Sequence, residues 1–356
     1  MAREQDHNAE EGALSMASQK TDGPVPSAGK GIIIDGLMGG VLTPRVIERL
    51  AGSGLTAINL TAVRIGATLH EALSDLAVVR ETIERNSRQL QLATTAADIR
   101  SAKATGRVGI VIGMQDTEPI GRNLSVLRTL RDIGVRIIQI THNRQCYVGT
   151  GCVEPDSGLT AFGRQLVAEM NRLGLVVDLS HCGPKTTLNA IRCSSQPIMC
   201  THANPLAICP SPRNKSDEII TELAARGGVM GMAAWSPILH RGNRKRPRLS
   251  DLNTCIDHVL RIAGTDHISI GTDLCDDLTP TPESWAPSYG PSGAFPEVTA
   301  GLGDWYRFET TMAEGLDTIA QMPALIEVVR SRYDQALADK ILGLNFMRVF
   351  ESVTGA

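Results

Sequence analysis

The sequence predicts an α/β fold in which parallel strands, each followed by a helix, close into a (β/α)8 TIM barrel. Strand and helix patterns alternate through most of the 356 residues, and the predicted strands are apolar throughout instead of alternating between apolar and polar residues. Such strands indicate a parallel sheet covered on both faces. Polar residues also recur where the strands end, which a closed barrel explains better than an open sheet does.

Each predicted element has a local signal. Residues 108–114 (VGIVIGM) are an uninterrupted apolar run of strand length, and apolar residues three or four positions apart in 69–86 indicate one face of a helix. Thr43 before Pro44 is typical of a helix start. Strands are predicted at residues 31–35, 55–60, 90–93, 108–114, 135–141, 176–181, 197–202, 228–233 and 267–271. Helices are predicted at residues 44–51, 69–86, 96–104, 124–133, 160–172, 184–193, 216–225 and 249–263.

Four segments fall outside this alternation. Residues 1–30 are polar and predict a disordered tail, so that residues 31–356 should form one barrel domain. Residues 274–303 are rich in Pro, Gly and Ser and predict a long loop on the active face, and residues 316–350 predict closing helices. The basic run at 241–248 is interpreted as a solvated loop.

Composition and charge exclude several classes of protein. A net charge of −3 gives no general attraction to nucleic acid or to an anionic membrane, and no apolar run approaches the length of a membrane span. The first residues lack the pattern of a secretory signal, and the eight cysteines form no CxxC pair. We therefore expect a cytoplasmic protein with reduced thiols that binds neither nucleic acid nor membrane.

Two histidines occupy equivalent positions in the pattern. The runs VVDLSH and PIMCTH each stop at a histidine, His181 and His202, with a helix predicted between them. Because consecutive parallel strands of a barrel are neighbours, the two imidazoles should lie close enough to bind one metal ion. The alternative is two unrelated polar loop residues. Cys182 and Cys200 are close in sequence, and for both we expect core packing instead of metal binding.

Several segments together carry a family pattern. They are GVRIIQITHN (134–143), GLTAFGRQLVAEMNRLGLVVDLSH (158–181), PIMCTHANP, PSPRN, HISIGTDL (267–274) and KILGLNFMRVF (340–350). These segments closely resemble the membrane, or renal, dipeptidase family of zinc peptidases. The resemblance implies a barrel of the metal-dependent hydrolase type, a dipeptide or related small amide as substrate, zinc as cofactor and a homodimer.

The resemblance also implies roles for five residues. His181 and His202 match the two histidines on the family's second metal, and His142 matches a histidine that contacts the substrate and its developing oxyanion. Arg213 matches an arginine near the substrate carboxylate. Asp273 matches the late aspartate that serves both the metal site and the proton transfers.

The first-metal site departs from the family pattern. The family's first strand ends in Asp-Gly-His-Asn-Asp, whereas residues 35–39 read DGLMG, so Leu37 and Gly39 stand where the family has metal ligands. The family's bridging glutamate aligns with Gln115, whose neutral amide is a poor bridge between two cations.

We therefore expect one zinc ion, held by His181 and His202, with Gln115 or Asp273 (or Asp116 or Glu118 from the same strand end as Gln115) completing the site. Purely structural roles remain open for three of these residues. Asp273 could cap a helix, Arg213 could be an ion-pair partner, and His142 could hold neighbouring loops together.

The resulting hypothesis is a metal-dependent hydrolase of the dipeptidase type. One alternative is a divergent relative that acts on another small amino-acid-derived carboxylate with one metal or none. The other is a non-catalytic homologue. Metal content of the purified protein distinguishes these three.

Overall fold

The computed structural model describes residues 31–242 and 245–355. Over these ranges the chain forms a parallel β-sheet curled into a barrel with helices around it, which confirms the predicted fold class. The predicted tail, residues 1–30, lies outside the described residues. No helix within the described ranges is both long enough and apolar enough to cross a bilayer.

The sheet contains ten strands in the part of the chain that is described. They are β1 (Ile34–Gly40), β2 (Ala57–Val63), β3 (Leu90–Leu92), β4 (Val108–Met114), β5 (Val135–Gln139), β6 (Val176–Asp178), β7 (Met199–Ala203), β8 (Val229–Met232), β9 (Ile268–Ile270) and β10 (Leu274–Asp276). The hydrogen-bonded order is β10-β1-β2-β4-β5-β6-β7-β8-β9, with β3 paired to β4 outside this path.

One segment closes the barrel. β9 pairs with β8, and β10, which follows it after residues 271–273, pairs with β1 on the opposite edge of the sheet. The two short strands therefore act together as the eighth strand of the barrel. Closure brings the carboxyl ends of all these strands to one face, where barrel enzymes place their reactive groups.

Helices follow the strands as the sequence predicts. They are α1 (Pro44–Gly52), α2 (Leu69–Arg85), α3 (Ala96–Ala104), α4 (Ser125–Ile133), α5 (Ala161–Leu173), α6 (Pro184–Cys193), α7 (Asp217–Ala225), α8 (Ser236–Leu239), α9 (Asp251–Ala263), α10 (Pro282–Tyr289), α11 (Pro296–Thr299), α12 (Met322–Arg330), α13 (Gln335–Asp339) and α14 (Asn345–Thr354). Several of these helices begin at a capping side chain: the Thr43 hydroxyl accepts a hydrogen bond from Val46 N, and Thr68 and Glu71 form a reciprocal capping box.

The core at the amino ends of the strands is filled by the last helix. Buried residues of α14, among them Phe346 and Phe350, form one apolar cluster with strand residues such as Ile34, Val111 and Val176. These contacts plug the end of the barrel opposite the carboxyl ends of the strands. In the described part of the chain, α14 therefore closes the barrel interior at the amino ends of the strands.

Two sequence predictions about local structure were wrong. The first strand was expected to end at Asp35, but β1 continues through the glycine-rich stretch to Gly40. The stretch 274–303 was expected to be an irregular loop, but it contains β10, α10 and α11. β1 and β10 pair with each other, with Gly39 opposite Cys275. This pairing overrides the weak strand propensity of glycine.

Candidate active site

His181 and His202 meet at the carboxyl face of the barrel. His181 follows β6, His202 lies in β7, and their Nε2 atoms are 2.9 Å apart. Both side chains are buried. The predicted juxtaposition of the two imidazoles is therefore present in the structure, because β6 and β7 are adjacent parallel strands.

The outer ring nitrogens determine what the facing Nε2 atoms can do. His181 Nδ1 is 2.7 Å from Asn143 Oδ1, an acceptor, so this Nδ1 carries the hydrogen. His202 Nδ1 is 2.8 Å from Thr201 Oγ1, whose own hydrogen is donated to Asp178 Oδ2 at 2.7 Å. Neutral His202 therefore also carries its hydrogen on Nδ1. Two lone pairs then face each other, an arrangement that a bound cation between them would stabilise.

Asp178 organises the backbone that carries both histidines. Its carboxylate accepts hydrogen bonds from the amide and hydroxyl of Ser180 and from the amide and hydroxyl of Thr201. The Ser180 hydroxyl also accepts a hydrogen bond from His202 N at 3.1 Å. One carboxylate thereby sets the relative position of the two strand ends.

Two buried cations lie beside the histidines. Arg213 donates from its two η nitrogens to the carbonyls of Ser180 and His202, and its buried Nε has no hydrogen-bond partner among the described residues. Lys215 donates to the Cys182 carbonyl at 2.9 Å. Burial raises the pKa of the Asp273 carboxyl and the positive charge of Arg213 opposes that rise, so the ion-pair interpretation of Arg213 stays open.

Burial keeps the site histidines neutral. Desolvation, followed by the positive charge of Arg213, lowers the pKa of His142 to about 3 and lowers the pKa of His181 and His202 well below the usual histidine range. Neutral imidazole is the form that binds metal ions. Desolvation and the charge of Arg213 also disfavour a proton shared between the two Nε2 atoms.

The imidazole ring of His142 stacks on that of His181. Its ring centroid lies 4.1 Å from that of His181 and 5.5 Å from that of Phe295. His142 also lines the cavity that leads to this site. Its predicted contact with the substrate stays open, and so does a structural role in holding neighbouring loops.

Asp273 lies at the junction between β9 and β10. Its backbone has a positive φ of 60°, and its amide donates to the Leu37 carbonyl at 3.1 Å. Desolvation raises the pKa of the Asp273 carboxyl to about 6, with the charge of Arg213 acting in the opposite direction. A strand follows this residue and not a helix, so the helix-cap interpretation is wrong.

The remaining predicted ligands do not complete a three-residue acidic or imidazole cluster. In the described part of the chain, no group of three His, Cys, Asp or Glu side chains is placed to hold a metal ion. Gln115 donates from Nε2 to Thr61 Oγ1 at 2.9 Å and lines the same cavity as Asp273. Whether either residue binds metal stays a prediction.

The neighbouring cysteines pack as neutral thiols. Burial raises the pKa of both Cys182 and Cys200 to about 12, and Cys182 accepts a hydrogen bond from Thr141 Oγ1 at 3.2 Å. A protonated thiol is a poor metal ligand. This supports the expectation of core packing. All eight cysteines of the chain are free.

Apolar side chains and a thiol surround residues 37–39, where the sequence lacks the ligands that the family resemblance implies for a first metal. Leu37 and Met38 are buried, and a Cβ placed on Gly39 would lie 2.8 Å from Cys275 Sγ. That sulfur is in turn 3.0 Å from Tyr289 Oη. The loss of ligands seen in the sequence is therefore accompanied by a thiol that occupies the space an aspartate at position 39 would need.

A cavity of about 590 Å³ connects the site to solvent. Polar residues at its inner end include His142, His181, Arg213 and Asp273. Its outer part is lined mainly by aliphatic side chains of the β1–α1 and β2–α2 connections and of α2. The volume is within the range of small-molecule sites, about 300–1,000 Å³.

Sequence reasoning missed the residues that support the histidines. Asn143, Thr201 and Asp178 were not assigned to the site, although Asn143 directly follows His142 and Thr201 directly precedes His202. Their adjacency to candidate ligands was a usable signal, because metal-binding histidines commonly donate their second N–H to such partners. Phe295, which packs against His142, had no comparable signal.

The chain was compared with known proteins. Residues 39–287 match the family described as membrane dipeptidase, peptidase family M19. An amidohydrolase of Pseudomonas aeruginosa with a known crystal structure is 31% identical with a TM-score of 0.82, and the match covers 92% of this chain and 97% of that one.

Two curated relatives are fungal dipeptidases. An uncharacterised dipeptidase of Schizosaccharomyces pombe is 28% identical over 212 residues, which is 58% of this chain and 51% of the relative. Dipeptidase verJ of Clonostachys rogersoniana is 28% identical over 290 residues, 80% of this chain and 66% of the relative. The chain thus spans about half to two thirds of the length of these relatives. The family match and the barrel site together show that the chain belongs to the membrane dipeptidase family.

Proposed function

We propose that this chain is a dipeptidase-like amide hydrolase that uses one divalent metal ion, zinc by family resemblance. The observation that carries the proposal is the pair of Nε2 atoms, 2.9 Å apart, on two imidazoles whose Nδ1 hydrogens are already committed to Asn143 and Thr201. Membership of a dipeptidase family supports amide hydrolysis. The relatives' names, dipeptidase and amidohydrolase, agree with it.

The residues present fit one metal ion. His181 and His202 would supply two nitrogen ligands, and Gln115 or Asp273, which line the same cavity as His181, would supply the third protein ligand that catalytic zinc sites use. One position then remains open for water. When bound, such an ion polarises a carbonyl group and acidifies water.

The protein's own groups would divide the remaining work. Asp273 is buried, and its raised pKa makes it a suitable acceptor for the proton of the attacking water. Neutral His142 can donate one hydrogen bond to the substrate. Arg213 lines the cavity, and its buried Nε has no hydrogen-bond partner among the described residues, which favours a substrate that carries a carboxylate.

Metal stoichiometry of the purified protein tests the site. We expect about one zinc per chain in the parent and loss of that zinc in His181→Ala and in His202→Ala. His70→Ala, which removes an exposed imidazole at the start of α2, is the matched control and should keep the zinc. Retention of zinc in the His181→Ala/His202→Ala double variant, or two zincs per chain in the parent, would contradict the proposal.

Activity tests the proton transfer. Asp273→Asn should lower kcat on simple amides by about 10²–10⁴-fold while zinc content stays unchanged. If zinc is lost as well, then Asp273 acts as a ligand and not only as the base.

The altered first-metal position supports a second candidate. Leu37 and Met38 are buried, and Cys275 Sγ lies 2.8 Å from where a Cβ at position 39 would be, so the surroundings of the missing ligands differ from those of a two-metal centre. This supports a small carboxylate other than a dipeptide as substrate. Zinc at one per chain combined with inactivity on dipeptides would favour this second candidate.

A further inference from the structure

One helix face lines the outer part of the active-site cavity. Asp75, Val78, Val79 and Thr82 of α2 line the cavity, and their spacing of three, four and seven residues places them on one side of the helix. The neighbouring side, which includes Leu76, packs in the core, and Val79 packs against the edge of that core. The cavity side of α2 therefore continues the apolar surface of the core outward to Val78, which is 61% exposed.

The mouth of the cavity continues this apolar surface. Val41, Ile65 and Leu278 line the cavity and are about half exposed. Exposed aliphatic side chains scattered singly are ordinary, but here they converge on the opening above a reactive site. Deeper in the cavity, Val63 and Phe295 extend the apolar lining toward His142. A neutral apolar group can therefore remain in contact with the wall along the whole path.

The same cavity offers no free carboxylate for an ammonium group outside the reaction centre. Its acidic lining residues are Asp75 and Asp273 in the described part of the chain. Both oxygens of Asp75 are bonded to Arg64, at 2.6 Å for Nη2 and 3.0 Å for Nε. Asp273 is at the inner end, beside the charge of Arg213. Burying an ammonium group without a counter-ion is strongly unfavourable. We therefore expect the outer part of the cavity to bind the α-ammonium of a free dipeptide weakly.

The inner end of the cavity favours an anionic group on the ligand. Arg213 lines the cavity there as a fully buried cation beside Asp273, and its Nε has no hydrogen-bond partner among the described residues. An anionic group on the substrate would accept a hydrogen bond from this Nε and interact favourably with the guanidinium charge. The cavity thus favours a molecule that is negative at one end and neutral and apolar at the other.

We propose that the substrate is an N-acyl amino acid, with a free carboxylate toward Arg213 and an aliphatic acyl chain along α2. This inference rests on the proposed amide hydrolysis. Water adds to the acyl carbon and the C–N bond breaks. The water oxygen remains in the released fatty acid, and the amine nitrogen of the released amino acid gains one proton. No oxidant or further reactant is needed.

A chain-length series tests the acyl site. The probes are N-acetyl-, N-hexanoyl- and N-decanoyl-alanine, each as L and D isomer, with Ala-Ala and Leu-Ala as free dipeptides. We expect kcat/KM to rise about three- to fourfold per added CH₂ until the cavity is filled, since each buried CH₂ contributes about 0.8 kcal/mol. Equal or faster cleavage of the free dipeptides, or no dependence on chain length, would overturn the inference.

Variants on one helix locate the acyl chain. Val78→Asn places a polar group on the cavity face of α2 and should lower the decanoyl-to-acetyl ratio of kcat/KM several-fold. Leu73→Asn makes the same kind of change at an exposed position of α2 that does not line the cavity, and it should keep the parental ratio. A ratio that is unchanged in Val78→Asn would show that the chain does not lie along this face.

Binding separates this inference from the proposed function. Calorimetry with the His181→Ala/His202→Ala variant and the same acyl-alanines reports affinity without turnover. Tighter binding of longer chains in the absence of any hydrolysis by the parent would retain the acyl site and reject the hydrolase. Hydrolysis of dipeptides with no chain-length effect in either assay would retain the hydrolase and reject the acyl site.

Discussion

Asp35 joins the first strand of the barrel to the segment that closes it. Its Oδ1 accepts hydrogen bonds from Thr272 N at 2.7 Å and Leu37 N at 3.3 Å, and its Oδ2 accepts from Thr272 Oγ1 at 2.6 Å. Thr272 precedes Asp273, so this carboxyl positions the candidate base. Replacement by Asn keeps the shape, and Nδ2 can donate to the threonine hydroxyl where Oδ2 had accepted from it.

The charge of Asp35 makes the stability of the fold depend on pH. Desolvation raises the pKa of this fully buried carboxyl from 3.8 to about 6. Between these values the folded state binds more protons than the unfolded state, so the free energy of unfolding decreases as pH rises. The contribution is fully present below pH 3.8 and is lost as pH passes 6. Two pKa units correspond to about 3 kcal/mol in total, of which roughly 1.5 kcal/mol falls between pH 5 and pH 7.5.

Urea unfolding at pH 5.0 and at pH 7.5 measures this contribution. Asp35→Asn removes the titrating group, so the parent should lose roughly 1.5 kcal/mol more than the variant over this interval. His142 also titrates abnormally, but its contribution is common to both proteins and cancels in the difference. The charge of Asp273 raises the pKa of Asp35, so the difference between parent and variant includes the coupling of these two carboxyls. Asp304→Asn at an exposed position is the control and should show the parental pH dependence. Parallel pH dependence of parent and Asp35→Asn would refute the reasoning.

Three further predictions concern the carboxyl face of the barrel. Gly39→Asp should destabilise the protein by about 1–3 kcal/mol through its contact with Cys275 Sγ. The double variant Gly39→Asp/Cys275→Ala should recover most of that loss, whereas strictly additive effects of the two substitutions would exclude the contact. Gly271→Ala should lower the melting temperature sharply because its Cβ would overlap the Thr201 carbonyl oxygen, whereas Gly301→Ala, with open space around it, should be nearly neutral. Thr201→Val removes the acceptor for His202 Nδ1 and should weaken zinc binding by about 10–100-fold in a competition titration; unchanged affinity would show that this hydrogen bond does not orient the ligand.

Local sequence patterns were sufficient for most of the barrel. The apolar run at β4 and the helices α3 and α6 have the predicted bounds, because hydrophobic periodicity and capping residues are properties of neighbouring positions. The convergence of His181 and His202 also followed, since adjacency of consecutive parallel strands is a general rule. Both results depend on short-range information.

Long-range contacts explain what was missed. β1 extends through Gly39 because β10 pairs with it, although the two are more than 230 residues apart in the chain. The same pairing places the Cys275 thiol 2.8 Å from where a Cβ at position 39 would lie. The support of His181 by Asn143, and the packing of Phe295 on His142, join residues from different connections. Such contacts leave no periodic trace in the sequence.

The sequence by itself therefore determined the fold class, the family and the two histidines at the carboxyl face, because each follows from local patterning or motif identity. Only the tertiary structure decided that both imidazoles carry their hydrogen on Nδ1, that Arg213 Nε has no hydrogen-bond partner among the described residues, and that α2 turns the exposed Val78 toward the cavity. The physical reason is that tautomer, charge compensation and surface exposure depend on which distant groups lie within a few ångströms, and closure of the barrel alone sets those neighbours.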